Sequence, residues 1–299
     1  MPVPLELLKQ VKGIALRTRG VVDSLFSGEF RSVFRGQGME FAEVRAYQHG
    51  DDFRAIDWNV SARLGAPYVK TFTEERELTL LLVVDQSAST RVGLPVTKAA
   101  RSVEVAAVLA LAGAREQDRV GALLFSDKVE HVVPPAKGRR HALRLIRDLL
   151  AFASERRGTN LVQAIHYASN VLRHRSVVIL LSDLLAEGWD KAIRELAVRH
   201  QVIAITMDDP REEAPPAAGW VEMQDAESGR WVLVNTSGRA ARARWRQAVE
   251  ARRARRAERL RAAGVEHIPL DVTTDYGAVL RRAFAKRQRH RRRHAVRRR

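Results

Sequence analysis

Asp85, Ser87 and Ser89 place a carboxylate and two hydroxyls at alternate positions within five residues, D-x-S-x-S. Two later segments add similar groups: Gly158-Thr159-Asn160 brings another hydroxyl, and Ser182-Asp183 another hydroxyl and a second carboxylate. No His or Cys belongs to the set. Hard oxygen donors of this kind suit Mg²⁺, Mn²⁺ or Ca²⁺ and suit zinc or copper poorly. Few direct negative charges would leave an ion held among these loops incompletely satisfied and short of a ligand. An Asp or Glu from another protein can then complete its shell. The same residues also admit a reading without an ion, in which Ser87 and Ser89 cap a helix and Asp183 takes a basic side chain.

The elements that must position these groups are legible from periodicity. Leu78–Val84, apolar apart from Thr79, reads as a strand buried on both faces of a parallel sheet. Further strands are expected at 119–126, 176–184, 201–209 and 265–272. A short antiparallel edge strand is expected at 128–133, ended by PPAKG. Helices are expected at about 95–115, 139–153, 161–172, 188–199 and 238–263, and from about 275 onward. A Ser-Gly turn between two alternating runs marks 220–236 as a hairpin. Strands alternating with helices predict an α/β fold with a doubly wound, mostly parallel sheet of about six strands and helices on both faces. In such sheets ligands bind outside the carboxyl ends of the strands. Asp85 and Asp183 each follow a buried strand, so both belong at that edge.

Upstream, residues 3–35 show helical spacing. Residues 39–76 alternate as strands around a block dense in charge, Gly50-Asp51-Asp52-x-Arg54-x-x-Asp57-Trp58, followed by Ser61-Ala62-Arg63. The expected organisation is a helical segment and small β-containing lobe over 1–76, the large α/β domain over 77–285, and a basic, disordered tail over 286–299. The charged block has two readings. In the structural one, Asp51 or Asp52 pairs with Arg54 or Arg63, and Trp58 packs the lobe on the sheet. In the other, Asp51, Asp52, Arg54, Asp57, Trp58 and Arg63 form a partner-binding surface.

Asp85, Ser87, Ser89, Thr159 and Asp183 match, in order and approximate spacing, the metal-ion-dependent adhesion site (MIDAS) of von Willebrand factor A domains. The segment GQGMEFAEVRAYQHGDDFRAIDWNVSAR, followed by YVKTFTEERE, resembles the bacterial domain-of-unknown-function 58 family. These are A-domain-like proteins commonly encoded beside MoxR-type AAA+ ATPases. The resemblance is strong over 36–185 and rests on element order elsewhere. It implies a von Willebrand A-like fold, a bound Mg²⁺ (or Mn²⁺ or Ca²⁺), and a MoxR-type ATPase as partner in assembling, maturing or remodelling a client protein.

Composition narrows the remaining classes. The chain has 299 residues, 45% hydrophobic and without cysteine, so it can bury a core but form no disulfide or thiolate metal site. No signal peptide is recognisable, and no apolar stretch approaches the ~20 residues of a membrane span. A cytoplasmic location is expected. The net charge of +17 is concentrated: residues 239–262 carry +8 and residues 281–299 carry +11, which leaves −2 elsewhere. Basic runs are most simply solvated, and the alternative is a nucleic-acid-binding protein using that helix and tail. A haloacid-dehalogenase-type phosphatase would need a second acid two residues after Asp85, and Ser87 stands there. No P-loop or dinucleotide fingerprint occurs. The expectation is a non-enzyme.

Overall fold

The structure is a computed structural model describing residues 5–26, 39–74, 78–93, 95–213 and 217–296. The chain divides into two compact units, Phe34–Leu78 and the remainder, Met1–Val33 with Thr79–Arg299.

The larger unit is built on six strands: β3 (Thr79–Asp85), β4 (Arg119–Phe125), β5 (Val129–Ala136), β6 (Val177–Ser182), β7 (Gln201–Asp208) and β10 (Glu266–Asp271). Their spatial order is β10-β7-β6-β3-β4-β5. All neighbours are parallel except β5, which runs antiparallel along β4 at the edge. The expected mostly parallel, doubly wound sheet is therefore what the chain forms. β5 extends through Pro134 and Pro135 to Ala136, three residues past the expected stop. Proline removes one donor, and an edge strand has a side where none is needed.

β3 is where the winding reverses. The chain leaves it for β4 on one side and later returns to β6 on the other, which opens a crevice at the carboxyl ends of β3 and β6. Leu81 and Val83 face one layer, made by α7 (Leu161–Val171), α8 (Asp190–Arg199) and the end of α9 (Arg239–Ala262). In an extended strand the intervening residues Leu80, Leu82 and Val84 face the opposite way, and they too are buried. α5 (Lys98–Arg115) packs against the sheet and against α6 (Arg139–Ala151). Gly113 lets α5 approach closely, since a Cβ there would lie 2.7 Å from Val120 Cγ2.

α1 (Leu5–Arg17) and α2 (Arg19–Phe26) belong to this unit as well. Val11 and Ile14 share a buried cluster with Ala107 and Ile146. The expected lobe over 1–76 is thus corrected: the helical segment joins the large unit because its apolar face covers α5 and α6. α10 (Tyr276–Val296) extends into the segment expected as a tail, whose last three residues lie outside the described ones. Leu280 and Phe284 bury the first turns of that helix, and no Pro or Gly interrupts the sequence beyond them.

The small unit is an antiparallel pair, β1 (Met39–Ala46) with β2 (Tyr68–Glu74), plus a 3₁₀ turn over Phe53–Ala55 and α3 (Trp58–Leu64). Asp51 pairs with Arg45 at 2.7 Å, not with Arg54 or Arg63. Arg45's hydrogen bond holds the Asp51 carboxyl below its usual range. Asp52 accepts from Arg54 N and caps the 3₁₀ turn. Asp57 caps α3 by accepting from Asn59 N and Val60 N, and it meets Lys70 Nζ at 3.1 Å. Trp58 is 71% exposed. Its position at the first turn of α3 turns the ring to solvent.

Candidate metal centre

β3 delivers Asp85 to the crevice. Its carboxylate accepts from Ser87 N at 2.9 Å and from Ser182 Oγ at 2.5 Å, so the ends of β3 and β6 are joined through this side chain. Asp85 and Ser87 are completely buried. Both oxygens of Asp85 take part in holding the two loops together.

Among the described residues, only neutral donors contact Asp85. Burial, and then the charge of Asp183, push its carboxyl up to about 7, against the hydrogen bonds from Ser182 and Ser87. A carboxylate so placed gains from any cation that can reach it. Ser87 occupies the N-cap position of the short helix α4 (Ala88–Arg91), yet its side chain caps nothing. Its Oγ lies 3.2 Å from Ser89 Oγ. The capping alternative for this pair is not what the chain does; two hydroxyls stand together beside a buried carboxylate.

Asp183 behaves differently. Lys98, the first residue of α5 and almost wholly buried, sets Nζ 2.8 Å from Asp183 Oδ2 and 2.6 Å from Glu212 Oε1. Burial alone would lower the Lys98 pKa; the charges of Asp183 and Glu212 reverse this and hold it above its ordinary value. For Asp183 the alternative with a basic partner is the one realised. The following residue, Leu184, is buried at φ +54°, a conformation costly for a branched side chain and held by its surroundings. Leu184 N donates to Ser182 Oγ, and Asp183 O accepts from Arg256 Nη1 at 2.8 Å.

Thr159 lies half-buried on the loop entering α7. Asn160 caps that helix through Oδ1 to Gln163 N, and Asn160 N donates to Ser126 O at the end of β4. Ala88 N donates to Arg157 O at 3.1 Å, and the Arg91 guanidinium reaches the Ser154 and Arg156 carbonyls. The three loops carrying the expected ligands therefore do meet at one edge of the sheet.

Three residues of the site carried no expectation: Lys98, Glu212 and Glu227. Glu227 is in the turn between β8 (Trp220–Gln224) and β9 (Trp231–Asn235). Its Oε1 accepts from Ser89 N at 3.1 Å, and its Oε2 is buried without a partner. Lys98 had no sequence signal beyond a charged residue at the start of a helix with a broad apolar face. Glu227 had none.

Asp85, Ser87 and Ser89 fit a small, hard cation: a buried carboxylate without a cationic contact among the described residues, a pair of hydroxyls bonded to each other, and an orphan carboxylate oxygen nearby. Asp183 fits as a source of negative potential rather than as a free ligand. Among the described residues no three His, Asp or Glu side chains gather as a metal cage.

The Arg-rich helix α9 is more than a solvated face. Arg253, Arg256 and Arg259 follow one another along it. Arg256 grips Asp208 at 2.7 Å, Arg253 contacts Asp208 and Glu213, and Arg259 contacts Asp190 and Glu187 while stacking over Trp189.

Residues 43–255 match the model of the family described as protein of unknown function DUF58. The chain belongs to this family. An uncharacterized protein of Mycobacterium bovis is 32% identical over 288 residues, covering 95% of this chain and 90% of that one. One from Mycobacterium avium is 30% identical over 160 residues, covering 52% and 94%. Among solved structures, the conserved hypothetical protein BatB from Bacteroides thetaiotaomicron aligns over 71% of this chain and 99% of its own, at 15% identity and a TM-score of 0.47. No helix among the described residues is long and apolar enough to cross a membrane.

Proposed function

We propose that this DUF58 family member is a cation-dependent protein-interaction module. The observation that carries the reading is Asp85: fully buried, touched by neutral donors only, and beside the Ser87–Ser89 hydroxyl pair. Asp85, Ser87 and Ser89 would hold Mg²⁺ (or Mn²⁺ or Ca²⁺), with Thr159 on the neighbouring loop and Asp183 acting directly or through water. When bound, the ion supplies a Lewis-acidic position for a partner's Asp or Glu. The chain's own part is to fix the loops: Ser182 and the Ser87 amide orient Asp85, and Lys98 neutralises Asp183 so that two buried carboxylates can coexist.

The same reading makes the chain a non-enzyme. Ser87 replaces the second acid a phosphatase of this architecture requires, and its hydroxyl is partnered by Ser89 rather than by a base. The partner proposed is a MoxR-type AAA+ ATPase in the cytoplasm, acting with this module on a client protein. Its test is capture of the purified ATPase by the purified chain in Mg²⁺ and in EDTA. Capture lost in EDTA and with the double variant Ser87→Ala/Ser89→Ala supports the proposal; capture indifferent to both overturns it. Binding through the basic helices to nucleic acid would instead fall steeply with salt and ignore EDTA. Arg253, Arg256 and Arg259 are already spent on internal acids, which disfavours that alternative.

A further inference from the structure

Glu227 reaches the site from a hairpin 138 residues along the chain from Ser89. Its turn does not need it. Asp225 Oδ1 accepts from both Ser228 N and Ser228 Oγ at 2.6 Å, while Asp225 N–Arg230 O and Gly229 N–Asp225 O, both at 2.8 Å, close the loop. The Glu227 side chain is thus free to point inward. One oxygen takes the Ser89 amide and the other is buried with no donor. A carboxylate oxygen removed from water without a partner is costly, and a cation at Asp85, Ser87 and Ser89 would relieve that cost.

The tip is seated on both loops that frame the site. Gly229 has φ +70°, and a Cβ there would lie 2.5 Å from Arg157 Nη1; Arg157 O in turn accepts from Ala88 N. The strands behind the tip are weakly held. Trp220, Trp231 and Leu233 are all exposed, and elements with few buried contacts open at low free energy.

We infer that Glu227 is an internal ligand of the cation site, so that the tip of the β8–β9 hairpin occupies the place a partner's carboxylate would take. The inference rests on the cation-dependent reading above and adds how the site is kept closed. The partner's Asp or Glu must displace Glu227, and the hairpin leaves as it does so. Loss of Glu227 opens the site permanently.

The test is hydrogen–deuterium exchange of the full chain over residues 220–235 in Mg²⁺ and in EDTA, with Mg²⁺ titration calorimetry on the same samples. Wild type gains protection at the turn when Mg²⁺ is added. Glu227→Gln and Glu227→Ala gain none, and both still bind Mg²⁺ about tenfold or more weakly than wild type. If wild type binds Mg²⁺ with no change in hairpin protection, or if both variants match wild type in protection and affinity, the internal ligand is refuted while the cation site stands. If wild type and Ser87→Ala/Ser89→Ala alike show no Mg²⁺ binding, the cation site and the inference fall together.

Discussion

Replacing Asp85 by Asn should stabilise the metal-free protein, and the size of the effect follows from where the carboxylate sits. In the unfolded chain an aspartate titrates near 3.9; in the fold Asp85 is pushed up to about 7. A raised carboxylate pKa means the native state holds its proton over a range where the unfolded state has lost it, so stability falls as pH rises from about 4 and levels off above about 7. Three pH units correspond to about 4 kcal/mol at pH 8 and roughly 1–2 kcal/mol at pH 5. Asn keeps the shape and removes the charge, at a cost of about 1 kcal/mol for less well matched bonds to Ser182 and Ser87. The net gain is about 3 kcal/mol at pH 8 and close to nothing at pH 5. Denaturant unfolding in EDTA at the two pH values measures it. Added Mg²⁺ at a thousandfold excess over its dissociation constant should reverse the order, because it stabilises wild type by about 4 kcal/mol and leaves the Asn variant unmoved. An Asn variant less stable than wild type at pH 8 in EDTA would refute the reasoning, since it would mean Asp85 is already compensated within the fold.

Lys98→Met leaves Asp183 and Glu212 facing each other without their shared cation, and breaking such a buried pair costs about 3–5 kcal/mol. The same variant should bind Mg²⁺ more tightly, because Asp183 is released; calorimetry showing weaker binding would contradict the role given to Lys98. Arg256→Ala removes a buried guanidinium from Asp208 and from the Asp183 carbonyl, and a loss of similar size in urea unfolding is expected, little changed by salt. Asp57→Ala removes the α3 cap and the Lys70 contact and should cost about 1–2 kcal/mol. Trp58→Ala, at an exposed ring, should leave stability within about 0.5 kcal/mol. A loss of partner capture by that variant alone would mark the small unit as a docking surface.

Much of the large unit could be read from the chain because its elements announce themselves locally. Fully buried strands are near-continuous apolar runs, and each expected strand and helix was found within a few residues of its expected ends. The helices α1 and α2 were expected in the small lobe, and their place is decided by what their apolar residues touch: Val11 and Ile14 find α5 and α6. The donor loops were legible too, since strand ends in a doubly wound sheet converge by topology. The charges that meet those donors were not. Lys98 on Asp183 and Glu227 on Ser89 join residues 85 and 138 positions apart. No periodicity encodes which acid a distant lysine will neutralise or which hairpin tip will fold over a loop. Burial of Asp85 belongs to the same class, because a residue that ends a strand at a crevice reads as exposed until its neighbours close over it.

The proposed function requires Asp85, Ser87 and Ser89 to hold a divalent cation despite Lys98 beside Asp183. Titrating Mg²⁺ calorimetrically into the full chain and into Ser87→Ala/Ser89→Ala at pH 8 tests that most directly. A single saturable site in wild type, absent from the double variant and weakening as the pH falls below about 7, is the predicted result. Equal binding by the two proteins, or no binding by either, would contradict it.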